Sequence, residues 1–196
     1  FFGDTMTQFR PSVAMRIVAV FALMLAAAVL CACGGRNDTS ESADPLAGLI
    51  AAERDAVLQM LGESGLSIAQ LRPVGKLGIA KNSNAVAVAN GHVVGLRLSG
   101  SNLKSLRPVA ALPELALLWA PENRIASLDG LENARKLTEL MLSGNQISSV
   151  HGLAGVSSLE VVSLANNRLA SLQDLPALPA LHTLDVSGNQ LRSLEG

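Results

Sequence analysis

Charge is scarce in this 196-residue chain: Asp, Glu, Lys and Arg together make up 16% of it, and the formal net charge is -1. There is no basic field with which to attract a phosphate backbone, so nucleic-acid binding is not the expected activity. No acidic tail is present either. Aromatic residues amount to 3%, with no Tyr and one Trp, so any core is filled by aliphatic side chains. The two cysteines, Cys31 and Cys33, lie in one short segment, and a domain built from the rest has no disulfides and rests on packing. What the chain does have is apolar mass, at 49% hydrophobic residues. At this length that excludes disorder throughout and calls for a membrane segment or a Leu-rich core. The order of residues contains an apolar segment and a Leu-rich pattern in different places.

Ile17 to Leu30 is an uninterrupted apolar run. As a helix it reaches about 21 Å, short of a hydrocarbon core of about 30 Å, so it reads as the apolar region of a secretory signal. Met15-Arg16 supplies the start, and residues 1–14 read as sequence upstream of it. Leu30-Cys31-Ala32-Cys33 resembles the bacterial lipobox, with Cys31 standing where Ala or Ser is usual. The resemblance implies lipidation of Cys33, an N-terminal lipid anchor in the membrane, and a place in the cell envelope. Gly34 after the cysteine implies passage to the outer membrane in a Gram-negative cell. An ordinary signal peptide or an uncleaved anchor are the other readings. A Cys-x-Cys metal site lacks further Cys or His ligands nearby.

Gly34 to Ala43 is small and polar, a flexible tether spanning about 15 to 20 Å. A helix is then expected, with Asp44 as N-cap, Pro45 at its first position, Leu46, Leu49, Ile50, Val57 and Leu61 on one face, and Gly62 ending it. Its polar face is too poor in Arg for membrane insertion, so it is read as covering a core. Ala85–Ala89, Asn90-Gly91 and His92–Leu98 read as a β-hairpin with a type I′ turn.

Leu115, Leu137, Leu159 and Leu181 recur at steps of 22 without a gap, and Val93 extends the series backwards. Each copy carries apolar residues three and five places on, as in Leu140 and Leu142, then an Asn: Asn123, Asn145, Asn167 and Asn189. This is the leucine-rich-repeat pattern, and its length resembles the internalin-like and SDS22-like subclass. The resemblance covers residues 93–196. It implies an α/β solenoid, a right-handed superhelix with a parallel β-sheet on its concave face, non-catalytic, with that face available to a protein ligand.

The pattern also has a mechanical reading. Alternating apolar residues make short strands that stack in parallel at about 4.8 Å. An Asn amide at each exit from the strand satisfies backbone groups of its own turn and of the neighbouring one, so the four form a structural ladder. The first repeat has Ser101 in place of Asn, as suits a terminal repeat. Convex segments such as Ser148–Ser158 are short and rich in Gly and Ser, and are expected to be 3-10 or extended. Pro176 and Pro179 agree with that. The organisation is thus a signal peptide over 1–32, a tether over 33–44, an N-terminal helix and hairpin cap over 45–92, and about five repeats over 93–196. The last repeat is incomplete, so the chain is expected to continue.

No catalytic constellation emerges. His92, His151 and His182 fall on different parts of the repeat, and His182 and Asp185 are three apart on a strand and point to opposite faces. Gly100, Gly144 and Gly188 keep the repeat period and belong to turns rather than a phosphate loop. Neither metal, cofactor nor small-molecule substrate is called for. The strand register instead lines up Arg97, Trp119, Met141, Ser163 and Asp185 beside Gly95, Leu117, Glu139, Val161 and Thr183. Leu117, Trp119, Met141 and Val161 then form an apolar patch flanked by Arg97 and Glu139, a protein-binding arrangement. Three readings remain open: such a binding surface, with Trp119 alternatively packed beneath the cap; a structural envelope protein; or the N-terminal part of a longer enzyme or effector.

Overall fold

The computed structural model describes residues 44–74 and 83–192. The signal, Cys33 and most of the tether lie outside the described residues. Among those described, no helix is long and apolar enough to cross a membrane.

The first turn differs from the expected helix start. The Asp44 carboxylate accepts from Leu46 N at 2.9 Å and its carbonyl from Ala47 N at 2.9 Å, which closes a single turn. Gly48 then takes φ +80 and redirects the chain, and Ile50 N reaches Gly91 O in the hairpin turn. That Leu46 bond and the Arg54 guanidinium, 2.7 Å away, hold the Asp44 carboxyl below its ordinary range. Helix α1 therefore starts at Ala51 and runs to Ser64. Gly65, at φ 72, ends it through Gly65 N to Gly62 O and Leu66 N to Leu61 O, a left-handed cap that leaves Gly62 inside the helix.

The buried face of α1 is Glu53, Ala56, Val57, Met60, Leu61 and Ser64, spaced as one stripe of a 3.6-residue period. Ile50, expected on that face, is 49% exposed because it precedes the helix. Glu53 is 2% exposed yet fully engaged: its carboxylate lies 2.6 Å from His92 Nδ1 and accepts from Val93 N at 2.7 Å. A charge on the apolar stripe is tolerable only with such partners, and it ties α1 to the hairpin.

Among the described residues, seven strands form one sheet in chain order: β1 (Arg72–Pro73), β2 (Ala85–Ala89), β3 (His92–Arg97), β4 (Leu117–Trp119), β5 (Glu139–Met141), β6 (Val161–Ser163) and β7 (Thr183–Asp185). β2 and β3 make the antiparallel hairpin around Asn90-Gly91, both at positive φ. From β3 onward the pairing is parallel, residue to residue at the repeat period, so Leu96, Leu118, Leu140, Val162 and Leu184 stand in one row. The first four are fully buried; Leu184, on the last strand, is partly exposed. The short pair of β1 with β2 extends the sheet one strand beyond the hairpin. On the opposite side, 3-10 turns at Arg107–Ala111 and His151–Leu153 alternate with simple turns. The result is a parallel-strand solenoid of about four turns.

One turn position carries strain. Gly100, Glu122, Gly144, Asn166 and Gly188 all adopt left-handed φ, of 61, 56, 71, 54 and 68. Asn accommodates this region; Glu does not do so readily. Large and small residues alternate here because each large side chain leans over the next glycine, Glu122 onto Gly144 and Asn166 onto Gly188. Glu122→Gly is expected to raise stability by about 1 kcal/mol, by relieving the Cβ penalty at this exposed site. Urea denaturation checks it. An unchanged or lower midpoint would mean that the carboxylate contributes more than the strain removes.

Candidate protein-binding face

The register places two rows of side chains on the sheet face turned away from the core. One contains Gly95, Leu117, Glu139, Val161 and Thr183; the other Arg97, Trp119, Met141, Ser163 and Asp185. Leu118, Leu140 and Val162, between them in sequence, point inward and are fully buried. Leu117, Trp119, Glu139, Met141, Val161, Thr183 and Asp185 are each partly exposed.

Two residues expected on this face are less accessible than their register implies. Arg97 is 7% exposed, because its guanidinium lies 4.0 Å from the centroid of the Trp119 ring. Burial lowers its pKa, partly offset by Glu139. The cation is thus held by an aromatic face and a neighbouring carboxylate and does not project as a free flank. Ser163 is 9% exposed, with its hydroxyl 2.8 Å from that of Ser143.

Trp119, Arg97 and Glu139 act as one unit. Burial raises the Glu139 pKa, while the neighbouring Trp119 and the charge of Arg97 act to lower it. Helix α1 packs against the 3-10 turn Arg107–Ala111 on the other side of the solenoid. Trp119 meets Arg97 on the neighbouring strand. Beyond this unit the face changes character. Asp185 accepts at one oxygen from both the backbone N and the hydroxyl of Ser187, at 3.0 and 2.7 Å. Ser143, Ser163, Thr183 and Ser187 surround that end with hydroxyls. Ser143 and Ser187 belong to the outward row two places beyond Met141 and Asp185, a continuation that period-2 alternation makes readable.

The four asparagines face the other way, into the turns. Asn123, Asn145 and Asn167 are 6 to 7% exposed, and Asn189 is partly exposed. Each donates to the carbonyl three residues before it and to one in the preceding repeat, and accepts from a backbone N–H there. For Asn145 these are Leu142 O at 3.0 Å, Ala120 O at 2.9 Å and Ile125 N at 3.0 Å. Every polar atom of the amide is spent on backbone. His151 and His182 are exposed and separate, and no group of three or more His, Cys, Asp or Glu among the described residues is placed to hold a metal.

The profile of the family described as Leucine Rich repeats (2 copies) matches residues 157–196. No curated protein matches the sequence significantly. Among solved structures, the chain is similar to an internalin (inlF) from Listeria monocytogenes, at 19% identity over 54% of this chain and 41% of that one, with a TM-score of 0.43. It is similar to a chain of the SNF/U2A' complex of Drosophila melanogaster, at 24% identity over 52% and 61%, TM-score 0.46. It is also similar to the leucine-rich-repeat ectodomain of the receptor kinase SOBIR1 from Arabidopsis thaliana, at 19% identity over 73% and 95%, TM-score 0.46. The chain spans less than two thirds of the first two. The repeat-period strands and the asparagine turns give the described residues the fold of a leucine-rich-repeat solenoid, and the family profile matches its C-terminal repeats at residues 157–196.

Proposed function

We propose that this protein is a non-catalytic binding module that captures a protein partner on the outer sheet face and is held at the cell envelope by a lipid on Cys33. Solenoids of this kind use their extended face in this way. The observation that carries the reading is the cluster of Leu117, Trp119, Met141 and Val161, apolar and partly exposed across three adjacent strands, at positions where a solvated sheet face takes polar residues. A Trp with neighbouring charges is a common energetic centre of protein interfaces.

The test is retention of partners from an envelope extract on immobilised protein. Trp119→Ala is expected to lower capture about tenfold, while Gln173→Ala, at an exposed site outside the strands, leaves it unchanged. Equal capture by both variants sinks the assignment. Because Trp119 also shields Arg97, Met141→Ala serves as a second variant that leaves that pair in place.

The anchoring half rests on the lipobox-like Leu30–Cys33 and the apolar run before it, with Gly34 favouring the outer membrane in a Gram-negative cell. Cys33→Ser is expected to abolish incorporation of labelled fatty acid and to release the protein from the membrane fraction. Undiminished labelling would overturn the lipidation.

A further inference from the structure

We infer that the occupant of this face is an extended peptide segment with an apolar side chain seated on Trp119 and Met141 and a Lys or Arg three residues away paired with Asp185. The inference rests on the binding role proposed above and adds the chemistry of the partner.

Charge decides the sign. The one cation in the two outward rows, Arg97, is 7% exposed and spent on Trp119 and Glu139. Asp185 is partly exposed, and no ion pair among the described residues involves it. Its bonds to Ser187 come through one carboxylate oxygen. Glu160, on the rim nearer Asp185 and beside His182, adds negative charge there. The accessible face is therefore apolar at Leu117, Trp119, Met141 and Val161, and two strands from Met141 it presents the Asp185 carboxylate, which has no ion pair among the described residues. A partner with a cationic group complements it, and one with a carboxylate at that position is repelled.

Spacing decides the form. Met141 and Asp185 occupy the same row two strands apart, which is about 9.6 Å at 4.8 Å per strand. A polyproline-II segment crossing the strands presents residues i and i+3 on one side at about 9.3 Å. In a β-strand, residues i and i+3 point to opposite sides, and i and i+2 fall short at about 6.7 Å. An apolar residue followed or preceded by a cation at three places thus meets both ends without distortion.

A random decapeptide display library selected on the full chain tests this, in parallel on the wild type, Asp185→Asn and Trp119→Ala. Asp185→Asn keeps the acceptor for Ser187 and removes only the charge. The expected result is enrichment of Lys or Arg three positions from an aliphatic residue on the wild type. A synthesised winner should bind Asp185→Asn about tenfold more weakly. Winners without that cation, or with equal affinity for Asp185→Asn, overturn the inference while leaving the face as a binding surface if Trp119→Ala still abolishes selection. Selection indifferent to Trp119→Ala overturns both.

Discussion

Leu142→Ala is expected to cost about 2 to 5 kcal/mol, the range for truncating a closed aliphatic core position. Leu142 is fully buried, in the row that also holds Leu98, Ala120 and Leu164, and its N–H bonds to Ser163 O at 2.8 Å in the next repeat. Removing three carbons there opens a void that neither neighbouring coil can fill, because both are fixed by parallel pairing on each side. Ser163→Ala, one strand away but on the outward face, removes a single hydroxyl pair with Ser143 and is expected to cost about 0.5 to 1.5 kcal/mol. From the sequence alone this change reads as neutral; the burial of Ser163 makes it a modest loss. Leu184→Ala, in the partly exposed last strand, should lie between the two. Urea unfolding of the three variants checks the order, and equal costs for Leu142 and Ser163 would mean that the strand register is wrong.

The parts of the fold legible in advance were those that the repeat dictates. Period 22 with an apolar residue three and five places after the first Leu specifies strand, inward face and turn together, so β4 to β7 and their registry follow from counting. The hairpin was legible for a local reason, since Asn90-Gly91 selects the turn. The cap was less so. Asp44-Pro45 has the chemistry of a helix start, and only the bond from Ile50 N to the distant Gly91 O shows why the helix waits until Ala51. Glu53 was missed for the same reason. Its partners, His92 and Val93, lie about 40 residues on, although a carboxylate on an apolar stripe is itself a sign that such partners exist. At the candidate site, register gave the membership of the two rows but not their accessibility. Arg97 and Trp119 are directly opposite across one strand pair, and the cation sinks onto the ring; alternation assigns faces and says nothing about such pairing.

Asn123→Ala is expected to be the most damaging change in the asparagine ladder, at about 3 to 5 kcal/mol. The reason lies in how the rungs share their acceptors. Ala120 O receives Asn123 Nδ2 at 3.1 Å and Asn145 Nδ2 at 2.9 Å; Leu142 O receives Asn145 and Asn167, each at 3.0 Å; Leu164 O receives Asn167 at 3.0 Å and Asn189 at 2.8 Å. Deleting one interior Asn therefore leaves these carbonyls with one side-chain donor each and orphans chiefly one N–H, that of Ile125 for Asn145, at about 1 to 3 kcal/mol. Asn123 has no such reserve. Because Ser101 stands where the first repeat lacks an Asn, Asn123 Oδ1 accepts two buried N–H groups, Ser101 at 2.9 Å and Leu103 at 3.0 Å. Its amide is also the side-chain donor to Leu98 O, at 2.6 Å. Two orphaned donors and a stripped carbonyl follow from one substitution, beside the cap where no further rung can compensate. The expected order in urea unfolding is Asn123 first, Asn145 and Asn167 next and alike, and Asn189 last, since its partly exposed turn admits water. Sharing also makes Asn145 and Asn167 interdependent. Their double replacement removes both side-chain donors to Leu142 O and should exceed the sum of the single costs by about 1 kcal/mol. Strict additivity, or an Asn123 cost no larger than that of Asn145, would show that the rungs act singly and that the degenerate first repeat places no extra demand on its neighbour.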